Sequence, residues 1–169
     1  MHSAHFLRVL SLLLLTLGLS LSTRADTLPN IGELSPTDLR YMADQRASID
    51  DLTRRHFGRL INGNKDSDLA LLQRLLDDGL VRPEQTRELQ AMGIIMGDLL
   101  AADLDMHWVV YEDKVGRSRA LRYRQTEEYL FPVTMISRRR EVDNRTPVTD
   151  IYQKAYDILS AQKLPKPFQ

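Results

Sequence analysis

Glu112 and Asp113 are the first residues in this chain of 169 that invite a catalytic reading. Two adjacent carboxylates precede a glycine turn and the arginine-rich segment GRSRALRY. Glycosidase-type chemistry needs two carboxylates facing one site, one to give a proton and one to take it or to attack. Neighbouring residues on a strand point to opposite faces, so this pair converges only if a bulge intervenes. The structural reading is that Asp113 accepts backbone N–H groups in the turn while Glu112 meets Arg119 or Arg122 across a hairpin. Asp98, Asp103 and Asp105 are further acids near this segment, but no spacing selects one of them as a partner.

Other chemistries lack their parts. The chain has no cysteine, which removes disulfides, thiolate nucleophiles, thiolate metal ligands and the lipid-bearing cysteine of a lipoprotein. Beyond the leader discussed below, the histidines are His56 and His107, in no ligand-like spacing, so neither a metal site nor a cofactor is expected. Ser118 and Ser137 have no nucleophile elbow around them, and no glycine-rich phosphate cradle occurs. What remains is binding. Trp108, Tyr111, Tyr123, Tyr129 and Phe131 could line a groove, although packing is the commoner use of such aromatics. Arg138, Arg139 and Arg140 form a solvated strand end that could contact an acidic protein or an anionic envelope polymer. The binding candidates are therefore Trp108, Glu112, Arg122, Tyr123, Arg138, Arg139 and Arg140.

These residues must be carried by elements that begin after a leader. MHSAHFLR, an apolar run from Val9 to Leu21, and Thr23 and Ala25 as small residues before a cleavage point have the layout of a secretory signal peptide over residues 1–25. The expectation is export to the periplasm with cleavage after Ala25, no stable membrane insertion afterwards, and no nucleic-acid partner in that compartment. Hydrophobic content of 43% and charged content of 27% suit one packed domain. Charge is unevenly spread: residues 26–113 hold 9 basic and 17 acidic side chains, whereas residues 114–145 hold 9 basic and 4 acidic. Such asymmetry can steer an anionic partner, or can be two halves of one surface attracting each other.

Residues 26–34 read as a flexible arm, 35–162 as a single domain and 163–169 as a tail. Ser35 caps a first helix, with Pro36 at its first position and Asp38 near its positive end. Leu39, Met42, Ile49, Leu52, His56 and Leu60 make its inward stripe, and it ends near Asn62. Asp66 or Ser67 caps a second helix that stops at Gly79. A third opens at Pro83, with Leu89, Met92, Met96, Leu99 and Leu100 in the core. Gly93, Gly97 and Ala101 form a second stripe on it, which predicts a close approach by another backbone or a homodimer through that face. The pattern then turns to strands: Met106 to Glu112, a turn with Gly116 at positive φ, Arg119 to Tyr123, and Tyr129 to Ser137, where Pro132 demands an edge or bulge. Thr146-Pro147 starts a last helix carrying Val148, Ile151, Tyr152, Ala155, Ile158 and Leu159. The expected fold is α+β, with N-terminal helices, a three-stranded antiparallel meander and a C-terminal helix packed on one face of the sheet.

The series LQAMGIIMGDLLAADLDMHWVVYED, GRSRALRY and LFPVTMISRR resembles the bacterial domain-of-unknown-function family 3806 over about Leu89 to Tyr156. Gly93, Gly97, Trp108, Glu112, Asp113, Gly116, Leu121, Arg122, Tyr123, Pro132 and Ser137 carry the resemblance, with Tyr111 standing where an aliphatic residue is frequent. It implies a fold and often an exported setting, and no catalytic residue. The reading is thus a non-enzymatic interaction module of the cell envelope, using the sheet and its arginines. The alternatives are an envelope hydrolase with a cleft near Trp108, Glu112 and Arg122, and a structural homodimer.

Overall fold

Ser35 opens the first helix through a reciprocal cap: the Asp38 N–H donates to Ser35 Oγ, and the Ser35 N–H donates to the Asp38 carboxylate. The computed structural model describes residues 28–163; the segment read as a signal peptide, residues 1–25, and the tail beyond Lys163 lie outside them. Helix α1 (Pro36–Phe57) ends at Gly58 in the left-handed conformation, and α2 (Lys65–Asp77) is capped by Asn64, whose side chain accepts from the Ser67 N–H. Asn64, rather than Asp66 or Ser67, therefore starts that helix. Asp68 is buried and accepts the N–H groups of Asn62 and Gly63, which fixes the loop between the two helices.

The inward stripe of α1 matches the expected one at Met42, Ile49 and Leu52 and departs from it elsewhere. Asp38, Met42, Gln45, Ile49 and Thr53 are buried, while Leu39 and Leu60 are about half exposed and His56 is exposed. Asp38, at the start of the helix, is held by Arg117 and Arg119 as described below, while the buried edge as a whole packs chiefly against the third helix. Helix α3 (Thr86–Leu104) is the axis of the molecule and touches α1, the sheet and the C-terminal helix α5 (Val148–Lys163). From Leu89 to Leu100 every residue except Gln90 and Asp98 is buried. On α5, Val148, Ile151, Tyr152, Ala155 and Leu159 face this core, and Ile158 points to solvent instead.

The sheet has four antiparallel strands in the order β1-β2-β3-β4: Asn30–Gly32, Met106–Asp113, Gly116–Tyr123 and Tyr129–Leu130. The chain is α+β, with helices on one face of the sheet, as the sequence predicts. The additional strand, β1, comes from the segment expected to be a loose arm, and pairs Ile31 with Tyr111. The largest difference lies after β4. The strand expected over Tyr129 to Ser137 lasts two residues, and the chain then forms a 3₁₀ turn (Pro132–Thr134) and a one-turn helix α4 (Ser137–Arg140). Pro132 cannot donate to a ladder and begins the departure.

The glycines of α3 explain where the chain goes. A Cβ on Gly93 would stand 2.5 Å from the Val133 carbonyl oxygen, and one on Gly97 would stand 2.5 Å from the Trp108 ring and 2.7 Å from Pro132 Cγ. The missing side chains are filled by the 3₁₀ turn and the indole of the same chain. Ala101, the last of that stripe, is partly buried against the core. A homodimer through the Gly93/Gly97/Ala101 face is therefore ruled out, because that face is already covered.

Candidate functional site at the β3 edge

Register decides which side chains meet. The two-residue turn pairs Asp113 with Gly116, Glu112 with Arg117, Val110 with Arg119 and His107 with Arg122. Trp108, Val110 and Glu112 thus share the helix-facing side with Arg117, Arg119, Leu121 and Tyr123. Tyr111, Ser118 and Arg122 take the other side, where Tyr111 makes edge contacts with Tyr129 and Phe131 at centroid distances of 5.0 and 5.1 Å.

Arg117 and Arg119, two residues apart on one strand face, reach the N-terminus of α1. Arg117 grips Asp38 in a fork, Nη1 to Oδ1 at 2.9 Å and Nη2 to Oδ2 at 2.6 Å, and Arg119 Nη2 adds a contact to Oδ1 at 2.8 Å. Asp38 is 1% exposed. The Arg117 fork holds its carboxyl well below the usual carboxylate range, with help from Ser35 and from the charge of Arg119, and burial opposes this. The same bond raises Arg117. The Arg119 guanidinium also lies 4.2 Å from the centre of the Tyr41 ring. One carboxylate thereby caps a helix and fixes two guanidiniums.

Beside these arginines is a cleft of about 530 Å³. Its lining comes from Tyr41 of α1, Gln90 of α3, Tyr111 of β2, Arg117 to Arg119 of β3, and Phe131, Val133, Thr134 and Arg138 from the segment after β4. It exists because β4 is short: the β4 register covers Leu121 and Arg122, and the rest of β3 faces the cleft. Arg117, Arg119 and Arg138 make the lining positive, with Asp113 the acid at its rim. Asp113 is occupied, since its Oδ1 accepts the N–H groups of Val115 and Gly116, as the sequence predicts.

The candidate residues read from the sequence do not converge. Glu112 and Arg122 lie on opposite sheet faces, five register steps apart, about 16 Å along the strands. Glu112 faces Arg117, not Arg119 or Arg122. Arg122 instead donates to the Thr126 and Gln125 carbonyls and to Glu127, binding the β3–β4 loop. Trp108 is packed on Gly97 and donates from Nε1 to Asp98 at 2.9 Å, and Asp98 is also forked by Arg46. This indole is part of the frame. Tyr123 packs against the core. The three consecutive arginines sit on a helical turn, not a strand end, and so diverge: Arg138 lines the cleft, Arg139 donates to the Met135 carbonyl, and Arg140 borders a separate cavity of about 350 Å³ beside Arg82 and Arg145. A hydrolytic cleft built from Trp108, Glu112 and Arg122 has no counterpart in this geometry. Among the described residues, no three His, Asp or Glu side chains cluster in a way that could hold a metal ion.

Arg117, Tyr41 and Gln90 were not singled out by the sequence, and Asp38 and Arg119 were read only as a helix-start acid and a cross-strand partner of Glu112. The available signal was the spacing of two between Arg117 and Arg119 on a strand, which puts both on one face. Their partner lies 79 residues away from Arg117 in the chain and could not be read from local pattern.

No curated protein matches this chain. A crystal structure from Bacteroides thetaiotaomicron VPI-5482, determined at 1.50 Å, is similar in fold, with a TM-score of 0.69 and 16% identity. The similarity covers 78% of this chain and 48% of that one, so this chain spans about half the length of that protein. At such identity the likeness speaks for the fold alone. A family model matches residues 68–152, reaching back into α2 beyond the segment that carried the resemblance, and the chain belongs to that family, Domain of unknown function (DUF3806).

Proposed function

We propose that this protein is an exported binding module of the cell envelope that takes an anionic partner in the β3-edge cleft and carries out no reaction there. The observation that carries this reading is the cleft wall formed by Arg117, Arg119 and Arg138 beside an unpaired half of β3. Clustered guanidiniums held in fixed orientation recognise carboxylates and phosphates. The acids at hand are already engaged. Asp38 is kept ionised by its arginine fork, and Asp113 is engaged in its turn. Export rests on the leader of residues 1–25, and no described helix is long and apolar enough to cross a membrane.

Two measurements test the proposal. The mass of protein recovered from a periplasmic fraction should correspond to a chain beginning at Asp26; a full-length product confined to the cytoplasm would refute export. Titration with poly-glutamate, followed by calorimetry, should show binding that weakens with salt and falls about tenfold or more in Arg138→Glu. Equal binding by the variant would move the anion site elsewhere.

A further inference from the structure

We infer that the cleft receives an extended acidic segment of another protein, which adds as a strand to the open half of β3. This rests on the anion-binding reading and names its occupant. The direction of the backbone groups points to it. The Tyr123 N–H donates to the Glu128 carbonyl, so Tyr123 turns its main-chain groups toward the β4 side. Those groups alternate along an antiparallel strand, so Leu121, Arg119 and Arg117 turn theirs the same way. Leu121 meets Leu130 of β4. Beyond it the chain leaves at Pro132, and the N–H and C=O groups of Arg119 and Arg117 face the cleft. Unpaired strand edges of this kind are templates for a further strand.

Charge selects the occupant. Residues opposite Arg117 and Arg119 on an added strand would place their side chains on the same face as these arginines, toward Arg138. Acidic residues fit there. The alternate residues would fall on the other face beside Tyr111 and Phe131, the latter 37% exposed, which favours apolar side chains. The occupant is therefore a segment alternating acidic with apolar residues. A second copy of β3 would set arginine against arginine, which disfavours self-pairing. The chain's own C-terminal segment, LPKPFQ, has two prolines and a lysine and no acid, so it fits neither ladder nor charge.

The geometry makes one demand that charge alone does not. The added strand runs antiparallel to β3, as β4 does, and in it the acidic residues, being opposite Arg117 and Arg119, are the ones whose own amides bond to β3, whereas the apolar residues' amides point away. The test uses a fluorescent peptide alternating glutamate with valine, and two derivatives N-methylated either at the glutamate amides or at the valine amides. Anisotropy titrations against the mature protein should give similar affinity for the parent and the valine-methylated peptide. The glutamate-methylated peptide should bind about tenfold or more weakly, the loss expected when ladder hydrogen bonds are removed. Arg138→Glu, with its fold checked by thermal melting, should weaken the parent peptide comparably. Equal binding of the two methylated peptides would overturn strand addition and leave the anion site standing. Failure of all three peptides while poly-glutamate still binds would also overturn strand addition. If poly-glutamate fails to bind as well, both the inference and the anion-binding reading fall.

Discussion

The backbone of Val133 rests on Gly93, close enough that a Cβ there would meet the Val133 carbonyl oxygen at 2.5 Å and that of Pro132 at 2.6 Å. This contact turns a would-be third strand into a turn seated on α3. The consequence for function is indirect but physical: the segment that would have covered β3 is held down on the helix, and the strand edge stays open above it.

Gly93→Ala tests that contact. In a free helix the exchange would stabilise by about 1 kcal/mol. Here the new methyl group meets main-chain oxygens, which cannot rotate away as a side chain could. A net loss of about 1–3 kcal/mol is expected, read as a lowered melting temperature. A variant as stable as the parent, or more so, would show that the 3₁₀ turn is not tightly seated.

Acid should weaken the join between α1 and the sheet. Asp38 titrates lower in the folded chain than at the ordinary 3.8 of a free aspartate. Its stabilisation is therefore fully present above that value and is lost as pH falls below it toward the folded-state value. Asp103 contributes in the same direction, since the Tyr152 hydroxyl at 2.6 Å holds it low as well. Unfolding followed by circular dichroism should show wild-type stability falling through this window, with a shallower fall in Asp38→Asn. Identical pH slopes would remove Asp38 from this role.

Glu112→Ala and Arg122→Ala should be additive. They face opposite sides of the sheet and share no partner, and independent sites add within about 0.5 kcal/mol. A double-mutant cycle on chemical denaturation measures this. Coupling well above that limit would mean that the two side chains meet after all.

Much of the frame was legible because local chemistry dictates it. The Ser35 cap, the buried face of α3, the Asp113 turn and the strand pair around it each depend on residues within a few positions of one another. The cleft was not legible, for two reasons. Tyr129 to Ser137 has strand-like residues; Pro132 signals a break, but the seat that receives the departing segment is made by the glycines of α3, some 40 residues earlier in the chain. Asp38 reads locally as a helix cap, and it is one; its second task, gripping Arg117 and Arg119, appears only when α1 lies beside β3. The short β1 was missed for a related reason, since three residues gain strand character only by pairing with β2.

Amide hydrogen exchange along β3 in the unliganded protein tests the central claim most directly. Ser118 and Ala120 turn their N–H groups toward β2, and Leu121 and Tyr123 turn theirs toward β4 and its loop, so these four amides should exchange slowly. Arg117, just before this set, and Arg119, within it, should exchange fast, because their N–H groups face the cleft. That alternation is the signature of a half-open edge. Uniform protection from Arg117 to Tyr123 would mean that the edge is already covered, and would contradict the account.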